Sequence, residues 1–336
     1  MIFRPYYHFE TGCAAYLFGC PTMGKCAVVY AHEEDADAYV EFSGRKGMAI
    51  THVIDTHVHA DHRSGGPALA RRMGARYCLH ESARVALPFE PLRDGQEIEL
   101  GNTRIKVLHT PGHTPESVCL VATDLRRGAD PWFVLTGDTL FVGAVGRPDL
   151  PGHARENAAQ LYDSVREKLL TLPEELEVYP GHFLGSGCGV GMSGKPSSTI
   201  AFEKRWNRML SLPRDQFIEA LIDVPAKPSE YERILAFNQG GSRSASACAR
   251  TPRNSRSWCW STPSSARWSG WSAASSPSSL SRTSISSPTR RCCPSSSCSA
   301  SPRQSPTMWR VVSRTASAAS TFSCWDGWSR HLCRSC

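Results

Sequence analysis

The first 240 residues are predicted to form a layered α/β domain, two mixed sheets with helices packed on their outer faces. Short apolar runs of strand length recur along the segment, strands outnumber helices, and amphipathic helical stretches are interleaved among the strands.

Taken in order, residues 26–30 (C-A-V-V-Y) and 49–55 (A-I-T-H-V-I-D) read as buried strands, with a helix over 35–46 between them. A helical pattern restarts over 65–73 and is followed by a short strand at 76–80. Residues 98–100, 103–109, 118–122 and 132–136 form a run of strands separated by Gly, Asp and Pro turns. Residues 156–170 predict a helix, because Leu161, Val165 and Leu169 recur every four residues on one face. Residues 177–179 supply one more strand. The segment shows no internal repeat and no glycine-rich phosphate loop.

Composition divides the 336-residue chain near residue 240. The net charge of +7 is the balance of −5 over residues 1–240 and +12 over 241–336, where 13 Arg face a single acid, Asp326. The basic character lies wholly in the second part, so the first gives no case for nucleic-acid binding. Eleven of the 12 His precede residue 241, whereas 8 of the 14 Cys, 7 of the 9 Trp and 30 Ser follow it. The N-terminus lacks the basic start and long apolar run of a secretory signal. No apolar stretch of about 18 residues suggests a membrane span. Cys13, Cys20, Cys26, Cys78, Cys119 and Cys188 show no disulfide or zinc-knuckle spacing, which points to reduced thiols and a cytoplasmic protein.

The string Thr56-His57-Val58-His59-Ala60-Asp61-His62 follows the strand 49–55. Three imidazoles and a carboxylate so close together repel or compete unless a divalent cation takes them as ligands. On an extended segment His57 and His59 would face one side and converge on one ion. His113 in T-P-G-H-T, Asp138 in T-G-D-T and His182 in Y-P-G-H each follow a predicted strand, so all of these groups could emerge along one sheet edge. His8, His32, His52, His80, His109 and His153 read as solvated residues.

H-x-H-x-D-H, T-P-G-H-T, T-G-D-x-L and P-G-H together resemble the metallo-β-lactamase superfamily over about residues 1–235. The resemblance implies an αβ/βα sandwich with its metal site at one edge of the paired sheets. Two branches share these ligands, glyoxalase II-type thioesterases with two metals and persulfide dioxygenases with one Fe(II). Four features are similar to the dioxygenase branch. These are Ala60 before Asp61; Arg147 in G-R-P-D nine residues after Asp138; the short span from Thr114 to Asp138; and the Gly-rich segment 185–189 followed by K-P-S-S-T-I at 195–200, which resembles dioxygenases fused to rhodanese domains.

That branch implies Fe(II) held by His57, His113 and Asp138, with a small-molecule thiol persulfide and O2 as substrates. Arg147 would bind the anionic substrate. Asp61 and His62, with His59 and His182, would orient the ligands or provide further ones. The alternative is a hydroxyacylglutathione hydrolase-like enzyme with two Zn or a mixed Zn/Fe pair, and another is a non-catalytic metal-binding module. Phe183-Leu184 replaces the Asp-Tyr of glutathione-using members, which leaves the thiol carrier open, and Ala31-His32 stands where the family usually has an acidic residue and proline. Cys188 reads as a structural thiol rather than a sulfur acceptor.

Residues 241–336 form a Ser/Arg/Cys/Trp-rich tail, read either as a disordered basic extension or as a rhodanese-like coding region out of frame. Shifting the frame by two bases lets Trp258-Cys259-Trp260-Ser261-Thr262-Pro263 encode Val-Leu-Val-Asp-Thr, similar to a rhodanese opening strand. A sulfurtransferase partner would follow from that reading. Resequencing codons 238–245 tests it.

Overall fold

The computed structural model describes residues 1–240 apart from 185–188, 190, 224–226 and 228. Cys188, the greater part of the Gly-rich run and the tail 241–336 lie outside the described residues.

The first sheet runs in the order β1 (Ile2–His8), β2 (Cys13–Cys20), β3 (Lys25–Val29), β4 (Ala49–Ile54), β5 (Arg76–His80), β6 (Glu90–Leu92). Helix α1 (Ala36–Arg45) connects β3 to β4, and α2 (Gly66–Met73) connects β4 to β5. Both pairs are parallel, as a helical crossover requires, whereas β1–β2–β3 is an antiparallel meander.

The second sheet contains β7 (Glu97–Leu100), β8 (Thr103–His109), β9 (Val118–Asp124) and β10 (Phe133–Gly137). A small hairpin, β11 (Leu140–Phe141) with β12 (Ala144–Val145), leads to α3 (Ala154–Ser164), which widens into a π turn over Val165–Leu169. Strands β13 (Glu177–Pro180) and β14 (Ser198–Thr199) complete the sheet, with β13 parallel to β10. Three short helices follow: α4 (Ile200–Trp206), α5 (Arg214–Ile222) and α6 (Tyr231–Asn238). No described helix is long and apolar enough to cross a membrane.

The layers follow from side-chain alternation. In β2, Ala14, Tyr16 and Phe18 enter the core between the sheets, while Ala15 and Leu17 meet α1 and α2. In β9, Val118, Leu120 and Ala122 face the first sheet, and Cys119 and Val121 face α3 and α5. Both faces of these strands are buried, so neither shows polar alternation. Each fully buried Leu or Phe contributes about 1.5–3 kcal/mol. The predicted strands and the helices at 35–46 and 65–73 are present within one or two residues at most ends. Absent from the sequence reading were β1, β2, β6, the β11–β12 hairpin, β14 and α4–α6.

The two sheets are clipped together at one edge. Ala14 N donates to Gly181 O at 2.8 Å, Phe183 N donates to Gly12 O at 2.8 Å, and the Tyr16 hydroxyl donates to Pro180 O at 2.6 Å. The metal-type residues gather at this edge.

Candidate metal centre

β4 ends in a buried acid, and the chain then bends sharply rather than running on as a strand. Asp55 Oδ2 accepts from the hydroxyls of Ser64 and Tyr77 (2.9 Å to Tyr77), and its Oδ1 lies 3.6 Å from His59 Nε2. The loop is tied at further points. Val58 N donates to Glu116 Oε1 at 2.9 Å, and Val118 N donates to Thr56 O at 2.8 Å. Asn238 of α6 donates to His59 O and His62 O, both at 2.8 Å, and accepts from Ser64 N at 2.9 Å. Buried backbone groups are thereby satisfied without regular structure.

Because the segment bends, the two-residue periodicity that would aim His57 and His59 at one ion does not hold. Instead, His57, His113 and Asp138 offer donor atoms within 4.8 Å of one another, and His59, Asp61 and His62 form a neighbouring group. The His57 and His59 rings still touch, with centroids 4.4 Å apart.

In the first group, His57 Nε2 is 3.8 Å and His113 Nε2 3.6 Å from Asp138 Oδ2. His113 Nδ1 donates to the Arg147 carbonyl at 2.9 Å, which puts the proton on Nδ1 and the lone pair on Nε2. His57 Nδ1 is paired with Thr56 Oγ1 at 3.0 Å. Burial holds the His57 pKa well below the usual imidazole value. Burial alone would push Asp138 up, but His182 and His57 more than offset it and keep the carboxyl below its usual range. A neutral imidazole and an ionised carboxylate are the protonation states that metal binding needs. The three residues therefore fit a divalent cation in identity, orientation and charge.

His182 is engaged on both nitrogens. Nδ1 lies 2.9 Å from Asp138 Oδ1, and Nε2 lies 2.7 Å from Asp61 Oδ2, which also accepts from His62 Nδ1 at 3.1 Å. Burial opposes ionisation of Asp61, yet His62 and His182 hold its pKa well below normal. Burial lowers His62. For His59 burial acts in the same sense, but the Asp55 carboxylate outweighs it and the net shift is upward. Both His59 nitrogens, Asp61 Oδ1 and His62 Nε2 are buried without a hydrogen-bond partner among the described residues.

Arg147 is buried, and its guanidinium makes a two-point contact with Asp149, at 2.7 and 2.8 Å. Its carbonyl is the group that orients His113.

Several participants were missed. Tyr30 donates its hydroxyl to Asp138 Oδ1 at 3.0 Å, and Cys13 Sγ joins Asp61 and His182 within 4.8 Å. Asp55 and Asn238 brace the loop. Only Asp55 had a sequence signal, a charge at the end of an apolar strand. His32 and His80, read as solvated, are buried at 6% and 5% exposure. His32 stacks on His62 at 4.2 Å, and burial, reinforced by the neighbouring His62 and His8, depresses its pKa to about 2.

A sequence profile described as the metallo-beta-lactamase superfamily matches residues 31–182. A hydroxyacylglutathione hydrolase of Nitrosococcus oceani is 28% identical over 253 residues, covering 67% of this chain and 92% of that protein. The mitochondrial persulfide dioxygenase ETHE1 of Homo sapiens is 27% identical over 236 residues, covering 66% and 82% respectively. The crystal structure of ETHE1 from Myxococcus xanthus superposes with a TM-score of 0.61 at 32% identity, covering 72% of this chain and 100% of that one. The profile, the structural likeness and the His/Asp cluster at the sheet edge agree, and the chain belongs to the metallo-β-lactamase superfamily.

Proposed function

We propose that the chain is a persulfide dioxygenase that uses one ferrous ion held by His57, His113 and Asp138. The net reaction is RSSH + O2 + H2O giving RSH, sulfite and two protons, the terminal sulfur being oxidised and O2 reduced. The observation that supports this reading is the grouping of His57, His113 and Asp138, whose donor atoms lie within 4.8 Å of one another, with His182 beside them against Asp138 and Asp61.

Iron bound to two imidazoles and one carboxylate supplies open positions for a persulfide sulfur and for O2. This chain's residues set the conditions for that chemistry. The Arg147 carbonyl fixes the His113 tautomer, and the Thr56 hydroxyl orients His57. One carboxylate in the ligand set would leave a divalent cation and its three ligands with a single positive charge, which favours an anionic ligand on that ion. The Arg147–Asp149 pair borders the site and shapes the approach of that anion, as the resemblance to the dioxygenase branch implies.

The test is oxygen uptake by anaerobically purified, iron-loaded protein given glutathione persulfide or coenzyme A persulfide. O2 consumption with matching sulfite release supports the reading. A second reading, a two-metal thioester hydrolase, is favoured by the buried donor atoms of His59, Asp61 and His62 that lack hydrogen-bond partners. It is the reading to adopt if the protein holds two Zn per chain, hydrolyses S-lactoylglutathione and consumes no O2 with persulfide.

A further inference from the structure

Tyr30 lies where the two groups of donor residues meet, and several observations converge on it. It follows β3 directly and is 1% exposed. Its φ of 63° places it in the left-handed region. A bulky residue there costs about 1–3 kcal/mol, so the surroundings must hold it in place. Its amide donates to Ile54 O at 3.0 Å, which anchors the strained residue to the end of β4.

The strained backbone sends the side chain into the site. The phenol donates to Asp138 Oδ1 at 3.0 Å and is 3.1 Å from His182 Nδ1. The ring packs among five imidazoles: its centroid is 4.1 Å from that of His59, 5.3 Å from His62 in a stacked arrangement, 5.6 Å from His182, 5.8 Å from His57 and 6.1 Å from His32. Gly181 makes room for it, since a Cβ at that position would lie 2.5 Å from Tyr30 Cε2 and 2.8 Å from Asp138 Oδ1.

We infer that Tyr30 restricts this centre to one metal ion. The inference rests on reading His57, His113 and Asp138 as the ligands of that ion. An ion seated among His59, Asp61 and His62 would draw on Asp138 through its second oxygen, because His182, in contact with Asp138 Oδ1 and Asp61 Oδ2, links that carboxylate to the second group. Tyr30 acts against this in two ways. Its hydroxyl, together with His182 Nδ1, engages Oδ1 while Oδ2 faces His57 and His113, and its ring packs against the imidazoles that would have to turn toward a second ion. Tyr30 is thus a positioning residue that sets metal stoichiometry.

The test is equilibrium dialysis of metal-free protein against Co2+, with metal analysis and the visible Co2+ absorption spectrum as readouts. The wild type is expected to saturate at one ion per chain, and Tyr30→Ser at two, with additional Co2+ bands. Tyr30→Phe keeps the ring and removes the hydroxyl's hold on Oδ1, leaving that of His182 Nδ1. It also serves if the serine variant fails to fold. It is expected to take a second ion with at least a tenfold weaker affinity than its first. Two ions in the wild type, or one ion in every folded Tyr30 variant, overturns the inference. A wild type that binds one ion but shows no persulfide-dependent O2 uptake refutes the functional reading and leaves the role of Tyr30 standing.

Discussion

The Nδ1–H of His113 donates to the carbonyl oxygen of Arg147 at 2.9 Å, while the opposite ring nitrogen faces Asp138 Oδ2 at 3.6 Å. A main-chain acceptor thereby decides which nitrogen of the imidazole can bind a metal. Hydrogen bonds of this kind to ligand imidazoles change metal affinity by about 10–100-fold when lost.

Gly146 makes that hydrogen bond possible. A Cβ there would fall 1.9 Å from the Asp138 carbonyl oxygen and 3.1 Å from His113 Nδ1. Gly146→Ala must push the Arg147 carbonyl away from the ring. The expected result is a loss of metal affinity of at least about tenfold, read by competition with a chromogenic chelator. Unchanged affinity would show that the tautomer is set elsewhere.

Asn238 braces the metal loop from α6 with three hydrogen bonds, to His59 O, His62 O and Ser64 N. Asn238→Ala leaves those buried groups unpaired. Each unsatisfied group costs about 1–3 kcal/mol, so a drop of several kcal/mol in unfolding free energy is expected by urea denaturation. A change below about 1 kcal/mol would mean that water or a rearranged loop replaces the amide.

The strands that precede the ligands were legible because each pairs an apolar run with an abrupt polar cluster, as at 49–55 with His57 and at 132–136 with Asp138. β2, buried on both faces as β9 is, was not, because Ala14, Ala15 and Gly19 dilute its apolar run. Asn238 joins the site from 174 to 179 residues downstream, a partnership no local pattern reveals. Tyr30 looks like one more core aromatic at a strand end; its left-handed backbone, visible only in three dimensions, turns it into the site.

A ligand set arranged around a charge should also couple metal binding to folding. An ion that binds only the native state adds about 3 kcal/mol of stability at a hundred times its dissociation constant. The wild type should gain this with Fe(II) or Zn(II), seen as a higher urea midpoint. His113→Ala, which deletes one of three ligands, should gain little while remaining folded by circular dichroism. An equal gain in the variant would place the ion outside the His57, His113 and Asp138 group.

The buried imidazoles predict how the metal-free protein responds to acid. His32, with its pKa depressed to about 2, and His57 and His62, also lowered, bind protons more readily in the unfolded chain. Their contribution is complete above the ordinary imidazole value near 6.5 and is lost as pH falls below it. His59 is shifted upward, so it opposes this trend by favouring the folded state as it gains a proton. Asp61 and Asp138 have lowered values, so their contribution fades only below about pH 4. Between pH 6.5 and 4 the imidazoles alone act, and the lowered ones, which also include His52 and His80, outweigh the single raised one. Unfolding free energy should fall by at least about 1 kcal/mol per pH unit there, measured by urea denaturation at pH 7.5, 6.5 and 5.5. His32→Gln should flatten the slope, since it removes one protonation that only the unfolded state accepts; an unaltered slope would mean that His32 is protonated within the fold.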